Sequence, residues 1–241
     1  MFERDLDEVL ARARDAGIDR ILAVGTDLAS SLWSVSLAQQ YDMVYAAVGV
    51  HPHETSKFPE EGQSVQALLG EEKVVAVGEI GLDYYRNSTP QAQQLAAFRE
   101  QVRWATDRDL PVSVHNRSAD TDVLEVLASS GVRTVLHCFS GSWEFARRAL
   151  DAGFSLSFAG NLTFPKADEL RSVATQVPAD KLLIETDAPA LAPQTKRGKR
   201  NEPSYLLSTL ETLASLRNTA PGLLSEQISR TADELFAWSR T

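Results

Sequence analysis

Four short apolar runs end abruptly in metal-type ligands. They are Val74-Val75-Ala76-Val77-Gly78 before Glu79, Pro111-Val112-Ser113-Val114 before His115, Thr134-Val135-Leu136 before His137, and Leu182-Leu183-Ile184-Glu185-Thr186 before Asp187. Runs of this length, rich in Val, Ile and Ala, read as strands buried on both faces. A carboxylate at the end of such a strand is costly to bury unless it is paired or metal-bound. Carboxylate, imidazole, imidazole, carboxylate on successive strands is the order in which a barrel gathers ligands at one mouth. That constrains the fold as much as the chemistry.

Between the apolar runs lie stretches with helical periodicity. The pattern predicts helices near 6–16, 28–40, 65–69, 90–108, 120–129, 142–152, 166–173, 203–214 and 225–238. It predicts strands near 20–25, 43–50, 74–78, 112–115, 134–137, 154–158 and 181–185. Thr89-Pro90 reads as the N-cap and first position of the long fourth helix, with Leu95, Phe98, Val102 and Ala105 inward. Strict βα alternation implies a parallel sheet. The expected class is α/β, a TIM-like (β/α)8 barrel, whose active sites lie at the C-terminal ends of the strands. No Gly-rich dinucleotide loop follows the first strand, which disfavours an open doubly wound sheet. There is no linker-like composition, so 1–241 reads as one domain.

The net charge of −9 excludes a general nucleic-acid sponge, because nonspecific binding rests on phosphate neutralisation. A local exception is Lys196-Arg197-Gly198-Lys199-Arg200, which reads either as a solvated loop or as a phosphate contact placed just after Asp187. No apolar run is long enough for a membrane span, and the charged start Met1-Phe2-Glu3-Arg4-Asp5 lacks a signal-peptide core. A cytoplasmic location and no membrane partner are expected. The single cysteine, Cys138, excludes an internal disulfide and reads as a packed thiol.

Taken in order, six segments resemble the TatD family of metal-dependent deoxyribonucleases, within the amidohydrolase-like barrel superfamily. They are Gly49-Val50-His51-Pro52-His53, Gly78-Glu79-Ile80-Gly81-Leu82-Asp83-Tyr84-Tyr85, Pro111-Val112-Ser113-Val114-His115, Leu136-His137-Cys138-Phe139-Ser140-Gly141, Glu185-Thr186-Asp187-Ala188-Pro189, and Arg197-Gly198-Lys199-Arg200-Asn201-Glu202-Pro203. The resemblance implies a hydrolase cleaving phosphodiester bonds of DNA, at ends or in single strands. It implies that Glu79 bridges two metals, that His115 and His137 hold one, and that Asp187 faces the other and handles the attacking water. Glu185 shares the side-chain parity of Asp187 and would stand behind the ligands. His51, His53, Asp83, Tyr84, Arg117, Arg197, Lys199 and Arg200 are the substrate-contact candidates, with a structural role the alternative for His51 and His53. Asp83, Tyr84 and Tyr85 are expected on a mouth loop, where the tyrosine rings either stack on a base or pack on the rim. Mixed imidazole and carboxylate ligands suit Zn²⁺, Mn²⁺ or Fe²⁺, while Mg²⁺ prefers oxygen. The same metal-bound water would also suit ester or amide hydrolysis, such as an aminoacyl-tRNA bond. An impaired relative kept for binding is a further alternative.

The family pattern opens with a strand carrying His-x-His. All four histidines of this chain lie elsewhere, at 51, 53, 115 and 137, and Met1-Phe2-Glu3 resembles the segment after that strand. One firmly held metal is therefore expected, with a second keeping only its two carboxylates. A barrel without its first strand would be gapped, would exchange strands in a dimer rather than stand as a monomer, or would belong to a longer natural protein whose start lies upstream of Met1.

Overall fold

The structure, a computed structural model, describes residues 2–238; the expectation attached to Met1 lies outside them. The elements are α1 (Leu6–Asp15), β1 (Ile21–Val24), α2 (Leu28–Gln40), β2 (Val44–Val48), α3 (Phe58–Ala67), β3 (Val74–Asp83), α4 (Gln91–Arg108), β4 (Val112–Arg117) and α5 (Asp120–Ala128). They continue with β5 (Thr134–Leu136), α6 (Trp143–Asp151), β6 (Ser155–Phe158), α7 (Asp168–Gln176), β7 (Leu182–Ile184), α8 (Leu206–Leu216) and α9 (Pro221–Phe236). All seven predicted strands form, and the paired strands run parallel. The fold is the expected α/β, TIM-like class. Among the described residues no strand precedes α1.

Contacts divide the chain into two compact units. The first comprises Arg20–His137, Asp151–Phe154 and Asp233–Thr241, and holds β1 to β5 in chain order with α2 to α5. Its core is the two-sided burial of the strands: Val48, Val77, Ile80, Leu82, Val114 and Leu136 are all buried, and Phe98 of α4 is buried with them. Each such side chain contributes about 1.5–3 kcal/mol relative to exposure. The second unit comprises Met1–Asp19, Cys138–Leu150 and Ser155–Ala232. It pairs β6 with β7, and Arg12 of α1 forms a bidentate ion pair with the buried Glu202, Nε to Oε1 at 2.9 Å and Nη2 to Oε2 at 2.7 Å.

Of the boundaries that differ from the sequence reading, three have a clear physical reason. First, β3 runs five residues beyond Gly78, because Ile80 to Asp83 continue the ladder with Val114 to Arg117 of β4. Glu79 therefore stands inside a strand. Second, Thr89 does not cap α4. The cap position is Pro90, and the Thr89 hydroxyl instead donates to the carbonyl of Pro52 at 2.9 Å. Third, α3 begins seven residues early, at Phe58-Pro59, since proline fits the first helical turn, where its missing N–H costs nothing.

The long α4 also carries two polar residues on its inward face. Gln94 and Gln101, seven residues apart, are both buried. The Gln101 amide accepts from the Val50 N–H at 2.7 Å and donates to the Val50 carbonyl at 3.0 Å. The Gln94 amide accepts from the Asp83 N–H at 2.9 Å. One helix thus satisfies the backbone at the two strand ends that lead to His51 and contain Asp83. Unpaired, these buried groups would cost about 1–3 kcal/mol each.

Candidate metal centre

Glu79 is the centre of the histidine cluster in the first unit. The register between β3 and β4 slips between Val77 and Ile80, so three residues of β3 span two of β4. Such a bulge re-aims a side chain. Here it frees the Glu79 N–H from the ladder to donate to the Gly25 carbonyl at 2.8 Å. Around Glu79 Oε1 lie His115 Nδ1 at 3.0 Å, His51 Nε2 at 3.5 Å and His137 Nε2 at 3.9 Å. Burial opposes ionisation of Glu79, yet His137, His115 and His51 outweigh it and hold the carboxyl well below its usual 4.5.

His115 shows what this arrangement is built to receive. Its second nitrogen, Nε2, lies 3.3 Å from Asp83 Oδ2. Asp83 is ionised: burial opposes this, but the Arg86 N–H, His53 and His115 together lower its pKa. His115 Nδ1 faces Glu79 Oε1 at 3.0 Å, so the ring is held between two carboxylates, and either a proton or a metal ion on Nδ1 suits that contact. Two atoms each about 2.1 Å from one ion stand roughly 3.0–3.4 Å apart at octahedral to tetrahedral angles, so the spacing is compatible with a shared divalent metal. Ligand atoms of His51, Glu79 and His115 all lie within 4.8 Å of one another, and His137 Nε2 stands 3.9 Å from Glu79 Oε1.

His51, which the sequence leaves open between a mouth residue touching substrate and a structural role, belongs to this cluster. It is 8% exposed, and its Nδ1 accepts from the His53 N–H at 3.1 Å. Its proton accordingly sits on Nε2, directed at Glu79. Burial lowers its pKa, with Glu79 pulling the other way. His51 steadies the bridging carboxylate as a donor, and its ring packs edge-on against His115 at 4.6 Å.

A second trio, His53, Asp83 and His115, also converges. It shares His115 with the first, and one neutral ring cannot present lone pairs on both sides. The trio is a hydrogen-bond relay, with His53 Nε2 at 2.7 Å from Asp83 Oδ2. Asp83 differs from expectation here. It is 0% exposed and ends β3 rather than lying on an open loop. Its Oδ1 accepts from the Tyr85 and Arg86 N–H groups at 3.1 and 2.8 Å. A carboxylate that orients a ligating histidine is a recurrent partner of metal sites.

Of the other candidates in this unit, Tyr84 donates its hydroxyl to Asp122 at 2.6 Å. Arg117 ends β4 and lays its guanidinium over the Tyr85 ring at 4.1 Å. Cys138, in the second unit, is half-buried. Asp187 also lies in the second unit, after β7, at a positive φ of 57°. Its loop is held by the buried Asn201, whose amide donates to the carbonyls of Thr186 and Ala190 at 2.7 and 2.6 Å. Arg197 stacks on Phe164 at 4.2 Å. Lys199 is exposed. Arg200 is bound through both guanidinium nitrogens to Asp5, which occupies the group expected to meet phosphate.

Sequence reasoning did not find the roles of Gln94, Gln101 and Asn201. The only signal for the glutamines was their spacing in line with Phe98 and Val102. The clustering of His51 was signalled by His-x-His, but the intervening proline does not reveal which way either ring turns.

The lowered pKa values give a pH prediction for the metal-stripped protein. Glu79, Asp83 and His51 all bind fewer protons folded than unfolded at a given pH, so stability rises with pH through their windows. The His51 part is lost first, as pH falls below 6.5 and the unfolded chain takes up its proton. The carboxylate parts are present above 4.5 and 3.8, and are lost as pH falls through the lower folded values. The thermal midpoint should therefore fall steadily from pH 7 to pH 3. A midpoint unchanged between pH 7 and pH 4 would contradict this account.

Comparison with known proteins bears on the family and the fold. The model of the TatD related DNase family matches residues 1–237. The chain is 39% identical over 239 residues to the uncharacterized metal-dependent hydrolase YabD of Bacillus subtilis, covering 98% of this chain and 94% of the relative. It is 38% identical over 244 residues to the 3'-5' ssDNA/RNA exonuclease TatD of Cronobacter sakazakii, covering 98% and 93%. Among solved structures, the TatD homolog YJJV of Escherichia coli K12 matches with a TM-score of 0.93 at 32% identity, covering 98% of this chain and 93% of that one. No helix among the described residues is long and apolar enough to cross a membrane.

Proposed function

We propose that this chain, which belongs to the family of TatD-related DNases, shortens single-stranded nucleic acid from its ends with a divalent metal held by Glu79, His115 and His137. It is a metal-dependent hydrolase of the DNase class, acting on phosphodiester bonds. The observation that supports the site assignment is the convergence on Glu79 Oε1 of His115 Nδ1 at 3.0 Å and His137 Nε2 at 3.9 Å. The preference for single strands is supported by the relative from Cronobacter sakazakii, a 3'-5' ssDNA/RNA exonuclease.

When bound, the metal supplies a Lewis acid for a phosphoryl oxygen and lowers the pKa of water at its open positions. The chain's own residues do the rest. Asp83 Oδ2, 3.3 Å from His115 Nε2, would hold that nitrogen and leave Nδ1 to ligate. His51 donates to Glu79 and limits its rotation. Asp187, on the family resemblance, is proposed to face the second metal and to take the proton of the attacking water. His53 is assigned to the relay through Asp83. Arg197 and Lys199 remain the proposed phosphate contacts of the basic loop.

The test is hydrolysis by metal-stripped protein given Mg²⁺, Mn²⁺ or Zn²⁺. Substrates are 5'-labelled single-stranded DNA, the same strand in a blunt duplex, and RNA. The expected result is a ladder shortened from the 3' end, faster on the single strand than on the duplex. Hydrolysis of an aminoacyl-tRNA ester, with no nucleic acid shortened under any metal, would overturn the reading.

A further inference from the structure

The geometry points to Tyr85 and Arg117 as a stacking platform that takes an unpaired nucleobase beside the scissile phosphate. This rests on the proposed nuclease reading and names the part of the substrate that selects for single strands.

The two adjacent tyrosines have opposite fates. Tyr84 is tied down by its hydroxyl, which donates to Asp122. Tyr85 is 68% exposed, more than the exposed Trp33 at 47%. An exposed ring normally moves freely, but this residue is held at its backbone and at its ring. The Tyr85 backbone N–H donates to Asp83 Oδ1 at 3.1 Å, and one face of the ring is covered by the Arg117 guanidinium at 4.1 Å. With one face covered and most of the side chain still exposed, the opposite face is the one left for a ligand.

Arg117 is equally telling. Several other arginines of the chain meet a carboxylate: Arg12 with Glu202, Arg99 with Glu125, Arg103 with Glu100, Arg171 with Asp168. Arg117 has no carboxylate partner among the described residues, in a chain of net charge −9. A guanidinium stacked on a ring keeps its edge donors available, and those donors suit phosphate oxygens. A π-face backed by a cation suits a base. The two faces together match a nucleotide better than either an anion or an apolar group alone.

Position links the platform to the metal centre. Arg117 is two residues beyond His115 on β4, so it shares the same side of the strand, about 7 Å further along. Gly81 pairs with His115 and Asp83 with Arg117 in the register. Asp83 joins both, holding His115 through Oδ2 and the Tyr85 N–H through Oδ1. A nucleotide whose phosphate reaches the Glu79–His115 pair thus has its neighbouring base within reach of the Tyr85 ring. Inside a duplex both faces of a base are covered by its stacked neighbours, so the platform favours unpaired strands.

The experiment compares wild type, Tyr85→Ala, Tyr85→Phe and Arg117→Ala. Binding of a fluorescein-labelled single-stranded oligonucleotide is read by anisotropy with EDTA present, so that the result does not depend on hydrolysis. Hydrolysis of bis(p-nitrophenyl) phosphate, which has no nucleobase, is read separately with metal. Tyr85→Ala should weaken oligonucleotide binding about 5- to 150-fold, the measured range for a base stacked on an aromatic ring. Tyr85→Phe should restore it, and turnover of the small ester should stay at the wild-type level. An oligonucleotide carrying abasic sites should bind wild type and Tyr85→Ala alike. Equal oligonucleotide binding by wild type and Tyr85→Ala would overturn the platform, as would an equal loss on the small ester, which marks a structural role. If wild type and Glu79→Gln alike cleave nothing, the nuclease reading fails, while the binding comparison still decides the platform.

Discussion

Glu79→Gln is expected to reduce phosphodiester hydrolysis by on the order of a thousandfold, the loss typical when one well-placed electrostatic group is removed. The substitution keeps the shape of the side chain and removes its charge. Three imidazoles lie 3.0 to 3.9 Å from Oε1, so the change removes the one anion on which the ligand cluster converges. Metal content after dialysis should fall with activity. The neighbouring Asp83→Asn should act more weakly, by about 10- to 100-fold in metal affinity, because it disturbs the orientation of His115 without removing a ligand. Wild-type turnover and full metal content in Glu79→Gln would refute the assignment of the centre.

Gly81→Ala is the second large effect, and it tests the scaffold rather than the chemistry. Gly81 has a φ of 136°, which side chains rarely tolerate. An added Cβ would lie 2.0 Å from the His115 carbonyl oxygen and 2.9 Å from its carbon. The obstacle is backbone, in the strand paired through this very position, and no rotamer relieves it. The strands must separate where His115 is set. A loss of about 4 kcal/mol or more is expected, a large share of the roughly 5–15 kcal/mol that stabilises a typical domain. The measurement is the denaturant midpoint of Gly81→Ala beside Gly17→Ala. Gly17 also has a positive φ, of 80°, but a Cβ added there would meet nothing within 4 Å. It should lose only about 1–2 kcal/mol of backbone strain. Equal midpoints for the two variants would show that the close approach at Gly81 is not rigid.

The register slip beside Gly81 also explains why part of the centre was hidden in the sequence. Alternation along a regular strand assigns each side chain a face. The extra residue between Val77 and Ile80 shifts that assignment for everything after it. Glu79, Gly81 and Asp83 then share a parity that could not be carried forward from Val74 to Val77. For the same reason β3 read as ending at Gly78, and Asp83 read as a loop residue rather than a buried relay.

His51 and His53 illustrate a different limit. Their presence near a strand end was plain, but their roles depend on the Nδ1 of one ring accepting the N–H of the other residue. That is a matter of torsion angles within a short 3-10 turn, which residue types do not specify. The glutamines of α4 are similar. Buried amides on an apolar helix face announce a hydrogen bond, and only the packing of α4 on β3 and the end of β2 reveals that Val50 and Asp83 receive it.

The sequence by itself determined the order of elements and the parallel α/β class, and it marked Glu79, His115, His137 and Asp187 as the ligand candidates. These follow from local periodicity and from the cost of ending apolar strands in charged or imidazole groups. Only the tertiary structure decided how His51 faces Glu79, why Asp83 is closed to substrate, and that Tyr85 rather than Tyr84 is left exposed under Arg117. Those outcomes depend on strand register, on ring orientation and on which polar groups find partners across the fold, and these are set by contacts between residues far apart in the chain.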